Sequence, residues 1–197
     1  TLLPMLEEIR RRIELDMETL DAIALAAGPG SFTGLRIGAA TAKGLGLALE
    51  KPVIGVPTVD ALAYNLYGTE RLICPMMDAR RAQVYTGIYT FSGGEFKVLR
   101  PQEVIAAADI IEVLNGMGQP VIFLGDGIPV HGNLIEERVK VPYSIAPAHL
   151  ARQRAGAVGA LACIYYKEGK IQSADEFLPV YLRPSQAERE RAERLKG

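Results

Sequence analysis

The sequence predicts an α/β protein of two lobes, and three observations predict it. Short apolar runs alternate with helical patterns over residues 1–68 in the order helix, strand, helix, strand, helix, which builds a lobe with parallel strands. After Gly68-Thr69-Glu70-Arg71 the texture changes to closely spaced strand-like runs, marking a linker and a second lobe over residues 69–197. Finally, 49% of the 197 residues are apolar. A domain of this size can bury roughly 70% of its unfolded surface, so a real core is expected, and disordered, collagen-like and coiled-coil classes are excluded.

Each element has its own justification. Leu2, Leu6, Ile9 and Ile13 are interleaved with Glu7, Glu8, Arg10, Arg11 and Arg12, giving one apolar stripe on a charged helix, and that stripe must pack on something. The chain opens at Thr1 inside this helix, so further residues before it are expected. Residues 21–27 form a short apolar run ended by Gly28-Pro29-Gly30, which favours a buried strand. A helix then runs to Glu50, with Ser31 or Thr33 as N-cap and Lys51-Pro52 as its stop. Residues 53–56 read as a second buried strand, Pro57-Thr58 as turn and N-cap, and 59–67 as a helix.

In the second lobe, residues 72–77 and 84–91 are strands joined through Asp78-Ala79-Arg80-Arg81, and Ser92-Gly93-Gly94 turns into a third at 96–99, an antiparallel meander. Residues 108–114 are helical, 121–124 form a buried strand ended by Gly125-Asp126-Gly127, and 129–139 are helical. Leu150, Arg154, Ala157, Val158, Leu161, Ile164 and Tyr165 recur at helical spacing and predict a long helix over 147–167. Residues 185–196 alternate Glu and Arg, a solvated terminal helix or a frayed tail.

Composition excludes several functions. With 22 Lys+Arg against 23 Asp+Glu the net charge is −1, so no bulk electrostatic footprint for nucleic acid or membrane exists. No apolar stretch reaches the roughly 18 residues of a membrane span and no signal-peptide pattern opens the chain, so a cytoplasmic protein is expected. Cys74 and Cys163 lack CxxC spacing and read as small buried hydrophobes in a reducing compartment. His131 and His149 lie on different predicted elements, with no HExxH or HxxxH, and no Ser sits in a GxSxG elbow. From residues alone the chain shows neither a metal site nor a catalytic set.

Four features have two readings each. Gly28-Pro29-Gly30-Ser31-Phe32-Thr33-Gly34 follows a strand and opens a helix, where Gly30, Ser31 and Thr33 can hold an anion or can serve only a tight turn. Its spacing is neither the dinucleotide fingerprint nor a Walker loop. Gly34, Gly38, Ala42 and Gly46 recur every four residues along the helix that follows, a ridge of small residues that suits internal packing or a protein–protein contact equally. Asp78 and Arg80 on the hairpin bend can grip phosphate or metal, or make local backbone hydrogen bonds. Gly125, Asp126 and Gly127 can admit a ligand or form an ordinary turn.

The block from Gly28 to Gly38, the following Gly44-Leu45-Gly46-Leu47 and the strand Val53-Ile54-Gly55-Val56-Pro57-Thr58 closely resemble the TsaB (YeaZ) family. Leu2-Leu3-Pro4-Met5-Leu6, Asp78-Ala79-Arg80 with Val84-Tyr85, Gly125-Asp126-Gly127 and Pro179-Val180-Tyr181-Leu182-Arg183 extend the likeness over most of the chain. The resemblance implies an actin-like, two-lobed ATPase fold of the sugar kinase and Hsp70 type that has lost catalysis, so no catalytic residue is expected here. It implies a partner subunit that binds the catalytic paralogue TsaD and supports transfer of threonylcarbamoyl to the tRNA adenosine next to the anticodon. It also implies a second, nucleotide-dependent contact with the ATPase TsaE, homodimers when the paralogue is absent, and contact with tRNA only through the complex. No cofactor is then required by this chain, and ATP or ADP enters at the level of the complex.

In the family the leading helix and the glycine-rich helix meet their partner in a bundle, which makes Leu2, Leu6, Ile9, Ile13, Gly34, Gly38 and Ala42 the expected interface. The family opens with strands that include an Asp-Thr-Ser phosphate hairpin, and none precedes Thr1. The first lobe is therefore expected to be incomplete at its N-terminus and nucleotide binding by this chain alone to be weakened. The alternatives are a catalytically active ATPase, kinase or transferase of the same fold, and a hydrolase of another class.

Overall fold

The computed structural model describes residues 2–183; the expected Glu/Arg tail lies outside them. The elements are α1 (Leu2–Arg12), a 3-10 turn (Met17–Thr19), β1 (Ile23–Gly28), α2 (Phe32–Ala48), β2 (Val53–Pro57), α3 (Thr58–Tyr64), β3 (Leu72–Asp78), β4 (Gln83–Ser92), β5 (Glu95–Ala106), α4 (Ala107–Met117), β6 (Val121–Leu124), α5 (Ile128–Arg138), β7 (Tyr143–Ile145) and α6 (Ala155–Lys167).

The chain divides into two compact units, Thr1–Val56 with Val158–Gly197, and Pro57–Ala157. This differs from the expected division after residue 68. The segment 58–64 packs with the second sheet, and the residues that follow α6 return to the first unit, a pairing across distant sequence that local patterning does not carry. Phe177, only 2% exposed, fills the space beside Gly55 and Ala27, while Gln172 and Val53 exchange backbone hydrogen bonds of 2.9 Å.

In the first unit β1 and β2 form a two-stranded sheet. Its core is Ala27, Ala39, Val53, Ala174 and Phe177. Ser31 caps α2, its hydroxyl accepting from the Gly34 N–H at 3.4 Å. The Lys43 ammonium donates to the carbonyls of Asp175 (2.8 Å) and Phe177 (3.1 Å), fastening the returning segment to α2.

In the second unit the strand order is β5-β4-β3-β6-β7. The β3–β4 and β4–β5 pairs are antiparallel, the expected meander, and β6 joins β3 and β7 in parallel. Alternation along the strands sends Leu72, Cys74, Met76, Val121 and Phe123 toward a core shared with Ile110, Ile111, Leu114 of α4 and Ile128, Ile135 of α5. Ile73, Met77, Tyr89, Phe91 and Leu124 face the other side, against Val59, Leu62 and Ala63 of α3. Covered on both faces, β3 is buried at every position but the last, so it reads as a continuous apolar run.

Several expectations are corrected. Thr58 is not an N-cap: Pro57 holds that position, and the Thr58 hydroxyl is buried without a partner among the described residues. The last helix starts at Ala155 rather than 147, because the carbonyls that would begin it are taken elsewhere. Ala151 O accepts from the Gly125 N–H, and Leu150 O and Arg152 O accept from the Asn65 amide at 2.9 and 2.7 Å. The third strand of the meander continues to Ala106, past Pro101, since a proline is tolerated on the edge strand that β5 forms. Cys163 is exposed, whereas Cys74 is buried as expected.

Candidate functional site

Two candidate regions emerge, one in each unit. In the first unit α1 buries none of its residues. Leu6, Ile9 and Ile13 are 38%, 53% and 63% exposed, so the apolar stripe finds only partial cover within the chain. It forms one wall of a groove of about 580 Å³, whose other walls are Leu15, Met17 and Leu20, Ile23 and Leu25 of β1, and Gly38, Thr41, Ala42 and Leu45 of α2. The charged side of α1 is laced by Arg10 onto Glu7, with two hydrogen bonds of 2.8 and 2.7 Å, and by Arg12 onto Glu8. The Arg10 guanidinium holds the Glu7 carboxyl below the usual range, and the carboxylate raises the guanidinium in turn. Both groups are fully exposed, so the pair orients the helix surface and adds little stability.

The ridge of small residues proves to be a spiral rather than a single face. Four residues of α-helix overshoot a turn by about 40°, so positions 34, 38, 42 and 46 migrate around the helix. Gly38 has open space where a side chain would begin. Ala42 is 4% exposed and lies at the bottom of the groove. At Gly46 a Cβ would come within 2.7 Å of Ala174 and 3.2 Å of Val53, so that glycine serves internal packing. Sequence reasoning missed the exposed face of α2, where Ile37 (51% exposed) and Leu47 (59%) flank Ala40 and Gly44. A count by helical angle instead of by fours would have found it.

At the Gly-rich loop, Gly28 has φ +121° and a cis bond to Pro29. A side chain there would collide with the carbonyl oxygen of Val180, whose N–H donates to Ala27 O at 2.7 Å. Close approach of the returning backbone therefore accounts for Gly28. Gly30, Ser31 and Thr33 are all exposed.

In the second unit the structure brings Asp78, Arg80, Gly125, Asp126 and Gly127 together. An Asp126 carboxylate oxygen accepts from the Asp78 N–H at 3.1 Å, and an Asp78 carboxylate oxygen accepts from the Arg80 N–H at 2.8 Å. Gly125, at φ +113°, leaves no room for a side chain against Met76 O, and the Gly127 N–H donates to that oxygen at 2.8 Å. These carboxylates thus hold two turns in register through backbone hydrogen bonds. Arg80, Arg81 and Ala82 all have positive φ (61°, 56° and 56°), a tight left-handed bend that leaves both arginines exposed at its tip. His131 is buried on α5, and His149 is exposed in the segment before α6. No cluster of three or more His, Cys, Asp or Glu suited to a metal occurs among the described residues. Nor is any helix among them long and apolar enough to cross a membrane.

The family model described as TsaD, tRNA N6-adenosine threonylcarbamoyltransferase, matches residues 1–191. A tRNA threonylcarbamoyladenosine biosynthesis protein TsaB from Bacillus subtilis is 33% identical over 186 residues, 94% of this chain and 80% of the relative. TsaB from Escherichia coli is 29% identical over 92% of this chain and 79% of its own length. Among solved structures, YeaZ from Pseudomonas aeruginosa superposes with a TM-score of 0.75 at 30% identity, over 91% of this chain and 83% of that one. Another, described as an uncharacterized protein with similarity to peptidase YEAZ from Pseudomonas aeruginosa, has a TM-score of 0.74 at 28% identity, covering 92% and 82%.

The mixed sheet, the helices on its two faces and these likenesses define the class, an α/β protein of actin-like, ATPase-type fold. Within that class the chain belongs to the TsaB (YeaZ) family of tRNA threonylcarbamoyladenosine biosynthesis proteins.

Proposed function

We propose that this chain takes part in forming threonylcarbamoyladenosine in tRNA as a non-catalytic subunit that binds the TsaD paralogue. The carrying observation is α1. Its apolar stripe stays exposed beside a groove that Gly38 leaves open. An apolar helix from a partner completes such a groove by inserting side chains between α1 and α2. Leu2, Leu6, Ile9, Ile13, Gly34 and Gly38 form the contact, and Ala42 supports it from below. The same surface serves a second copy of the chain when the paralogue is absent. A non-catalytic role also accords with Asp78 and Asp126, whose carboxylates are engaged by backbone N–H groups. Nucleotide and the TsaE contact then belong to the assembled complex.

The test is threonylcarbamoyl transfer to tRNA by this chain alone, by TsaD alone, and by both with the ATPase subunit. Activity in the mixture only is the expected result. Transfer by this chain alone would overturn the reading.

A further inference from the structure

At the start of α2 the surface carries a cluster that the partner reading does not use. The rings of Phe32 and Tyr181 lie 5.2 Å apart at 37°, and the Arg36 guanidinium sits over the Phe32 ring, 4.0 Å from its centroid. Phe32 is 37% and Tyr181 42% exposed, so the cluster faces solvent and not a core. Arg36 forms no ion pair with any described residue. Residues 22–49 contain only Arg36 and Lys43 as charged groups, and residues 177–183 only Arg183. Within these stretches no carboxylate accompanies Arg36, although the chain as a whole carries a net charge of −1 and Lys43 is held at the Asp175 and Phe177 carbonyls.

We propose that Phe32, Arg36 and Tyr181 form a stacking platform for an unpaired nucleobase of RNA, so that this chain touches RNA directly. Bases splayed from a single-stranded loop stack on aromatic rings and on guanidinium planes, while bases inside a duplex hide their faces. The Phe32 ring holds the guanidinium in place, so stacking costs little further ordering, and the ring itself leaves the charge to the phosphate backbone. A guanidinium with no ion pair among the described residues favours RNA over an apolar protein surface, which would have to bury it. The inference rests on the tRNA chemistry of the family and not on the scaffold reading.

Fluorescence anisotropy of the chain alone with a labelled short oligoriboadenylate, compared with the same strand in a duplex, tests it. The single strand should bind more tightly than the duplex. Tyr181→Leu and Arg36→Lys should each weaken single-strand binding by roughly 5- to 100-fold, with Tyr181→Phe restoring it and the melting temperature unchanged. The proposal is overturned by absence of binding, by equal binding of strand and duplex, or by variants that bind like the unaltered chain. Loss of TsaD association with RNA binding intact would also overturn it, identifying the cluster as a protein contact. Because no partner is present in the titration, its outcome is separate from that of the transfer assay.

Discussion

At Gly38 an added Cβ would meet no atom within 4 Å and would open into the groove of about 580 Å³. Gly38→Leu should leave the melting temperature unchanged or slightly raised, since glycine costs a helix about 1 kcal/mol, yet weaken the proposed TsaD binding about tenfold or more. Size-exclusion co-elution beside a thermal melt separates the two effects. Cys74 offers a second test. Burial pushes its thiol up to about 12 from 9.0, opposed by the Thr86 hydroxyl contact. Above the unfolded value the unfolded chain loses this proton while the folded one keeps it. Stability therefore falls as pH rises between those limits, by about 1.4 kcal/mol per unit from this group. Denaturant melts from pH 9 upward should show a shallower decline in Cys74→Ala. A thiol reagent at neutral pH should modify Cys163 alone in the folded chain, because Cys163 is exposed and Cys74 is not.

Among the elements, the segment after α6 decides whether the first unit closes. Phe177 is its anchor, and Phe177→Ala should destabilise that unit by roughly 3–5 kcal/mol, read by tryptophan-free near-UV circular dichroism or hydrogen exchange of β1 and β2. Gly55→Val should act in the same direction, because its Cβ would come within 2.6 Å of the Phe177 ring. Local signals made most elements legible. The 121–124 strand is apolar and ended by Gly125, and α2 opens at Ser31 as its capping chemistry predicts. What stayed hidden depends on distant partners. β7 is three residues with no buried position and exists because β6 lies beside it. The helical spacing that begins at Leu150 is real, but Asn65 and Gly125 claim the carbonyls. At the candidate interface, residue types on α1 were readable, while the division of the glycine ridge between groove and core required knowing where Ala174 packs.

For the molecule as a whole, the second unit is one continuous stretch with its own two clusters of buried side chains, and the first is assembled from two stretches. A fragment of residues 57–157 should unfold cooperatively in urea. Residues 1–56 alone should not, until a peptide covering 158–183 is added. Equal cooperativity of both fragments would contradict this. The discontinuity also has a meaning in time. On a ribosome the early segment emerges about ten seconds before the late one, at the usual ~5–20 residues per second. Through that interval β1, β2 and α2 lack Phe177 and the Lys43 tether, while the intervening stretch can already fold. Truncated products that stop short of Phe177 would thus lack a finished first unit, and a nascent chain could complete the proposed docking face only after Phe177 has emerged.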